Sequence, residues 1–279
     1  MKRIIKFLSL ILATLLLFTG CGTKSAANKS ADDAKQAEKK TTKLVVGATP
    51  SPHAEILNLI KPDLKEKGID LEVKEFNDYV TPNVALNDKQ LDANFFQHTP
   101  YMEEFEKEKN IKLVAVAKIH VEPMGAYSKK LKSKDEIKDG ATIAIPNDAT
   151  NEGRALLLLQ KQGLIKLKDE SGLTQTPKDI TENPKNLKFS ELEAPQLPRV
   201  IQDVDLAIIN TNFALKGNLD PLKDTIFSED KDSPYANVIT TRPDNQDDPA
   251  IKELVKALQS DKVRKYLEDT YKGAIVPAF

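Results

Sequence analysis

KLVVGATPSPHAEILNLIKPDLKEKGIDLEVKEF, residues 43–76, decides the fold class. It opens on a short apolar run, Lys43 to Ala48. After Pro50 and Pro52 comes an amphipathic stretch whose apolar positions Ile56, Leu57, Leu59, Ile60 and Leu64 recur at helical spacing, and Gly68 closes it. Ile69 to Phe76 then alternates apolar and polar residues, the period of a strand. Strand, helix and strand in this length make a βαβ unit, whose crossover lays the second strand parallel to the first. The fold class is α/β.

Toward the C-terminus the rhythm repeats. The spacing predicts a helix near Pro82 to Leu86, a strand near Leu91 to Phe96, a helix from Pro100 to Lys109 and an apolar strand from Lys112 to Val121, which complete one α/β lobe. A second set follows: an apolar run from Thr142 to Ile145, a helix from about Glu152 to Gly163 and a buried strand from Asp205 to Ile209. Asp248-Pro249 reads as an N-cap with proline at the first helical position, and Ile251, Leu254, Val255 and Leu258 mark one helical face. Another short helix starts at Ser260. These terminal helices are expected to pack back on the first lobe, so that the chain crosses twice between lobes and forms a stiff hinge. The expected division is residues 43–121 plus 235–279 for lobe 1 and 122–234 for lobe 2.

Toward the N-terminus, Met1, Lys2 and Arg3 precede an apolar run from Phe7 to Phe18 and then Thr19-Gly20-Cys21, the pattern of a secretory signal over residues 1–20. An apolar helix of about 12 residues spans roughly 18 Å, short of a hydrocarbon layer of about 30 Å. Cys21, the one cysteine in the chain, stands where the bacterial lipobox places its acylated residue. Phe18 departs from that pattern, where leucine is usual. Gly22 to Thr42 contains no Ile, Leu, Val, Phe or Tyr and reads as a flexible tether, residues 21–42 with the acylated cysteine, reaching roughly 25 Å. The expected location is the extracytoplasmic face of the cell membrane, held by the lipid.

Lys+Arg of 41 against Asp+Glu of 42 gives a net charge of −1, and so balanced a chain offers no basic surface for nucleic acid. A lone cysteine excludes an internal disulfide. No G-x-S-x-G elbow, G-x-x-x-x-G-K-[ST] loop or H-E-x-x-H motif is present, so no enzyme is expected and no cofactor. His53, His98 and His120 lie far apart in sequence, and no metal site is expected.

Polar and aromatic residues stand just past apolar strands, the carboxyl edge where open α/β sheets bind ligands. In NFFQHTPY, Asn94 to Tyr101, the residues Phe96, His98 and Tyr101 suit an apolar, polarizable side chain with one polar contact; an ordinary core role for both rings is the other reading. Arg154, in NDATNEGRALLLL (Asn147 to Leu159), falls in or near the first turn of a helix, where the dipole disfavours a cation. A bound carboxylate would resolve the conflict through a bidentate pair; a surface arginine beside Glu152 is the alternative. Asn210 and Asn237 also follow or border apolar strands, and their amides can meet both an ammonium and a carboxylate.

These segments resemble the methionine-binding lipoprotein (NlpA) family of substrate-binding proteins. The likeness runs over nearly all of residues 43–279 and includes NDYVTPNVAL (Asn77 to Leu86), DANFFQHTPY, NDATNEGRALLLL, ENPKNLKFSELEAPQLPR (Glu182 to Arg199), INTNFA, SPYAN and YKGAIVP. The resemblance implies a two-lobe periplasmic-binding-protein-like fold with a hinge and an interlobe ligand cleft. It implies that Tyr79, Phe96, His98 and Tyr101 surround a thioether, that Arg154 holds a carboxylate, and that Asn210 and Asn237, with Asn151 beside them, complete the polar contacts. It implies a monomer that delivers methionine to an ABC permease and its ATPase. Ser51-Pro52-His53 varies within the family: His53 either touches a longer ligand, such as a methionine-containing dipeptide, or starts a helix in solvent. The other readings are a receptor for another small amino acid and a surface adhesin that has lost its ligand.

Overall fold

A computed structural model describes residues 41–231 and 233–279. The signal segment, Cys21 and the polar tether up to residue 40 lie outside the described residues, and among the described residues no helix is long and apolar enough to cross a membrane. The opening stretch folds as its periodicities dictate. β1 (Thr42–Ala48) runs parallel to β2 (Ile69–Glu75), in register from Thr42 opposite Ile69 to Ala48 opposite Glu75, and α1 (Glu55–Glu66) crosses between them. Ile56, Leu57, Ile60 and Leu64 form the buried face of α1, and Leu59 packs at its edge.

α2 (Thr81–Asn87), β3 (Ala93–His98), α3 (Thr99–Lys109) and β4 (Val114–Val121) follow. β3 adds to the free side of β1 in parallel, and all six of its residues are buried. The chain then leaves this sheet through residues 122–124.

β5 (Gly125–Tyr127), β6 (Thr142–Pro146), α4 (Ala149–Lys161), the small hairpin of β7 (Lys166–Leu167) and β8 (Ile180–Glu182), β9 (Lys188–Leu192), α5 (Leu197–Val200), β10 (Leu206–Ile209), α6 (Thr211–Lys216) and β11 (Thr225–Ser228) build a second body. Its sheet has the order β11-β5-β10-β6-β9, parallel where β10, β6 and β9 meet and antiparallel at β5 and β11. α4 lays Leu156 and Leu159 on Ile143, Ile145 and Ile208 in that body's own apolar core. Residues 229–235 bring the chain back.

β12 (Ala236–Thr241) inserts antiparallel between β3 and β4, and β13 (Val276–Pro277) borders β4, giving the first sheet the order β13-β4-β12-β3-β1-β2. Between them α7 (Pro249–Leu258) and α8 (Asp261–Tyr271) return to α1: Ile251, Leu254, Leu258, Val263 and Leu267 share one core with Ile56 and Ile60. Two details depart from the sequence expectation. Asp248 occupies the N-cap position of α7 without its side chain accepting an N–H. α4 begins at Ala149, three residues before the expected start at Glu152, because Asp148 caps it by accepting the Asn151 N–H.

Gly153 sits inside α4, where alanine would ordinarily add about 1 kcal/mol. Here a Cβ would stand 2.3 Å from the Leu173 carbonyl oxygen and 2.7 Å from its carbon, backbone atoms of the segment packed on the helix. Gly153→Ala is therefore expected to lower stability by about 1 kcal/mol or more, read as a reduced urea midpoint; a raised midpoint would show that the packed segment yields freely.

Candidate functional site

The carboxyl ends of β3 and β10, the first turns of α3 and α4, the start of β12 and the crossing at residues 122–124 converge on a pocket whose empty space, counting the part open to solvent, is about 340 Å³. All eight residues expected from sequence line it: Tyr79, Phe96, His98, Tyr101, Asn151, Arg154, Asn210 and Asn237. Gln97, Glu122, Thr211 and Asn212, which the sequence reading did not single out, complete the wall.

One side is aromatic. Tyr79 lies 5.9 Å from Phe96, 5.8 Å from Tyr101 and 4.9 Å from Phe213, ring centre to ring centre. Both phenols are tied down: Tyr79 donates to Asn212 Oδ1 at 2.6 Å, and Tyr101 donates to the Tyr79 carbonyl at 2.8 Å. The wall presents ring faces and edges with its hydroxyls already occupied. Its rings also belong to buried clusters, so the core and cavity readings describe the same side chains.

The opposite side is wired by amides. His98 caps α3, its Nδ1 accepting the Tyr101 N–H at 3.2 Å. That acceptance places the proton on Nε2, which donates to Asn151 Oδ1 at 3.2 Å. Asn210 Nδ2 donates to the same oxygen at 2.8 Å, and Asn151 Nδ2 donates to Asp148 at 2.8 Å. Asn151, a minor inclusion from sequence, is thus the 1 % exposed centre of this network. The wiring leaves the Asn210 Oδ1 buried with no partner.

Arg154 stands in the second turn of α4, past the first turn where the helix dipole was expected to oppose it. Nor does it sit on the surface beside Glu152. Its Nε and Nη2 donate to the two carboxylate oxygens of Glu229 at 2.8 and 2.6 Å, Nη2 also donates to the Glu122 carbonyl at 2.8 Å, and the Tyr235 ring lies 4.2 Å from the guanidinium carbon. Burial works against the arginine charge, and the Glu229 carboxylate more than offsets it. Glu229 and Tyr235 carry no sequence signal beyond a place near a strand end.

Behind this wall His53 and His120, 67 residues apart in sequence, come together at 5.0 Å between ring centres. Each directs Nε2 at Glu122 Oε1, at 3.2 Å from His53 and 2.7 Å from His120. Burial pushes the His53 imidazole down to about 4 and the His120 imidazole down to about 3, so both rings are neutral: His120 donates a hydrogen bond to Glu122, whereas His53 lies beside that oxygen and hydrogen-bonds Asn237. His53 also meets Thr49 Oγ1 at 2.7 Å and Asn237 Oδ1 at 3.2 Å, and at 1 % exposure it is neither a solvent-facing helix start nor part of the cavity lining. The three donor atoms lie within 4.8 Å of one another, a spacing a metal ion could bridge. Their bonding fits a proton-linked triad better: a metal on His120 Nε2 would put the proton on Nδ1, which is buried with no acceptor.

Comparison with known proteins adds a family. The NlpA lipoprotein family model matches residues 44–279. The D-methionine-binding lipoprotein MetQ of Salmonella typhimurium is 51 % identical over 244 residues, covering 86 % of this chain and 90 % of the relative. Among solved structures, a nutrient binding protein of Burkholderia cenocepacia bound to methionine superposes with a TM-score of 0.82 at 48 % identity, covering 85 % of this chain and 100 % of that one. An ABC transporter periplasmic substrate-binding protein of Coxiella burnetii superposes with a TM-score of 0.81 at 43 % identity, covering 84 % and 100 %.

Burial also lowers His98, to about 3, with the Arg154 charge adding to it. The unfolded chain protonates these three imidazoles as pH falls below about 6.5 whereas the folded chain resists until about 4 or 3, so their contribution to stability is complete above 6.5 and lost on acidification. Glu152, raised to about 7 mainly by burial, acts in the opposite sense, favouring the fold at low pH. His120→Gln isolates one histidine while keeping a donor toward Glu122. Its unfolding free energy should vary less steeply with pH between about 6.5 and 3, by up to about 1.4 kcal/mol per pH unit; parallel profiles for variant and wild type would mean that His120 is protonated when folded.

Proposed function

This chain belongs to the NlpA lipoprotein family, and from that premise we propose that it is the extracytoplasmic substrate-binding lipoprotein of an ABC importer, with methionine as its ligand. The ligand occupies the cavity between the two sheets, and the loaded protein delivers it to a membrane permease driven by a cytoplasmic ATPase. The chain binds and releases; it carries out no reaction.

The observation that carries the reading is the pairing, in one pocket, of a fixed aromatic wall with a buried guanidinium. A thioether gains about 0.3–1.5 kcal/mol from each aromatic contact. The guanidinium of Arg154 is pre-oriented by Glu229, and its Nη1 edge is the donor available to a ligand carboxylate. At about 1.5 kcal/mol per non-hydrogen atom, the roughly nine atoms of methionine limit binding to near 13 kcal/mol, close to nanomolar, and only a closed cleft approaches that limit.

The two bodies, residues 43–121 with 235–279 and residues 122–234, act as lobes on this reading, with the crossings at 122–124 and 229–235 as the hinge. Ligand touching both bodies favours the closed form, which the permease recognises. The chain works as a monomer, tethered by the polar segment after Cys21, whose thiol carries the lipid.

The decisive measurement is calorimetric titration of the soluble chain from Gly22, unfolded and refolded to strip carried-over ligand, against L-methionine, D-methionine and a methionine dipeptide. Saturable binding of one methionine form is expected, weakened by about 2 kcal/mol or more in Arg154→Lys, which keeps the charge and loses the planar fork. Heat from the dipeptide alone, or from no methionine compound, would move the function to another ligand or to adhesion. Cys21→Ser should shift the full-length protein from the detergent phase to the aqueous phase on detergent partitioning; retention in the detergent phase would remove the lipid anchor.

A further inference from the structure

Tyr79 belongs to the first body by sequence and to both bodies by packing. Its ring lies 4.9 Å from that of Phe213, centre to centre, against the apolar core of the second body, and 5.8 Å from that of Tyr101 in the first. It stands in a run of bends, residues 77–80, between the end of β2 and the start of α2. We propose that residues 77–80 are a lid on the cavity, and that ligand enters and leaves when this strap swings out with Tyr79 as its plug, while the two bodies stay together. The proposal rests on the reading of the cavity as a ligand site and concerns the route into it.

Position is the first support. Tyr101 lines the cavity and also an outer groove, whose other walls include Val80, Glu104 and Phe105 of the first body and Asn147 and Asp148 of the second. Cavity and groove thus share one residue as a partition, and the Tyr101 hydroxyl donates to the Tyr79 carbonyl at 2.8 Å. Val80, next along the strap, is 51 % exposed, so little is packed over the outer face.

The second support is the way the strap is held. On one side of it the Phe76 N–H donates to the Ala48 carbonyl at 2.8 Å. On the other, the Asp78 carboxylate folds the strap onto α2 by accepting the N–H groups of Val80 and Thr81 at 2.8 and 2.6 Å. Between these points side-chain bonds tie it to the second body: Tyr79 donates to Asn212 Oδ1 at 2.6 Å, and Lys216 donates to Asn77 Oδ1 at 2.5 Å.

Third, parting the bodies disturbs more. It would break the same two bonds to the second body and also the His98–Asn151 bond at 3.2 Å, and it would draw Leu215 of α6 away from the apolar core of the first body, on which it packs. Displacing the strap breaks those two bonds and the Tyr101–Tyr79 bond, and unstacks one ring. A short segment fixed at both ends also moves on a faster timescale than a whole body.

The test uses the soluble chain from Gly22, which holds both apolar cores. Asp78 lies outside the cavity lining, and its two bonds are internal to the first body, so separation of the bodies leaves them intact. In stopped-flow tyrosine fluorescence with L-methionine, Asp78→Ala should associate and dissociate about 5-fold faster or more, with a calorimetric Kd within about 3-fold of wild type. Unchanged rates in a folded variant overturn the lid. A second measurement needs neither that variant nor methionine. Nitroxides on Val80→Cys with Lys161→Cys, and on Lys107→Cys with Lys161→Cys, report the strap-to-body and body-to-body distances by double electron resonance. Without ligand the first pair alone should show an added longer distance; lengthening in both pairs, or in neither, overturns the proposal. If L-methionine gives no signal, the methionine reading falls and the distances decide the lid by themselves.

Discussion

A guanidinium that is 3 % exposed must be paired, and the way Arg154 is paired organises the centre of the molecule. Its partner Glu229 begins the second crossing between sheets and also accepts the Met124 N–H at 2.8 Å from the first crossing. The Glu122 carbonyl, bonded to the same arginine, belongs to that first crossing as well. One side chain on α4 therefore ties together the only two backbone segments that pass from one sheet to the other among the described residues. Losing either partner of such a pair leaves a buried charge and costs about 3–5 kcal/mol. The floor of the cavity is thus set by an electrostatic requirement before any ligand is considered.

Once that floor is fixed, hydrogen-bond counting determines what the remaining polar groups can offer. The Tyr101 N–H fixes the His98 tautomer, His98 and Asn210 then saturate Asn151 Oδ1, and the Asn210 oxygen is left as an open acceptor. Behind β3 a second network is closed: Asn83 and Gln97 exchange amide bonds at 2.8 and 2.7 Å, Asn94 donates to Asn83 at 2.8 Å, and Gln97 reaches Thr240 at 3.2 Å. A saturated network in low dielectric has one arrangement, so it holds the end of β3, with Phe96 and His98, in place. The open acceptor lies on the cavity, and the closed network reaches the cavity only through Gln97, with Asn83, Asn94 and Thr240 outside the lining.

Much of this was legible in the sequence because it was local. The apolar periods located the βαβ unit, α3, β6, β10 and the terminal helices, and Phe96, His98, Tyr101, Asn210 and Asn237, beside apolar strands, line the cavity, whereas His53 past the first strand does not. What escaped was produced by folding. Glu122 and His120 stand in an ordinary strand end, and His53 looked like an exposed helix start; only the pairing of β4 with β12 and the packing of the turn before α1 bring them together, with His120 opposite Asn237. Arg154 was singled out for the right place by an argument the structure does not keep, since α4 starts earlier than the leucine run suggested and the carboxylate that meets the guanidinium comes from Glu229, 75 residues on. β5, β9 and β11 are as short as β6 and β10 but lack their continuous apolar runs, and they are strands because the neighbouring edge is there to pair with.

The same partition bears on how a binding protein of this kind changes state. Direct bonds already join the two bodies: Tyr79 to Asn212 at 2.6 Å, His98 to Asn151 at 3.2 Å and Lys216 to Asn77 at 2.5 Å. Each exchanges a water bond for a protein bond on closure and is worth about 0.5–1.5 kcal/mol net. Three such bonds come to a few kcal/mol, of the same order as the gap between two populated conformations, so closure does not depend on ligand alone. A ligand shifts such an equilibrium only by what it gains in the closed form over the open one. In this cavity that gain lies in groups that the interbody bonds leave unsatisfied, such as the Asn210 Oδ1, and in the part of the aromatic wall that is assembled only where Tyr79 of one body meets Phe213 of the other.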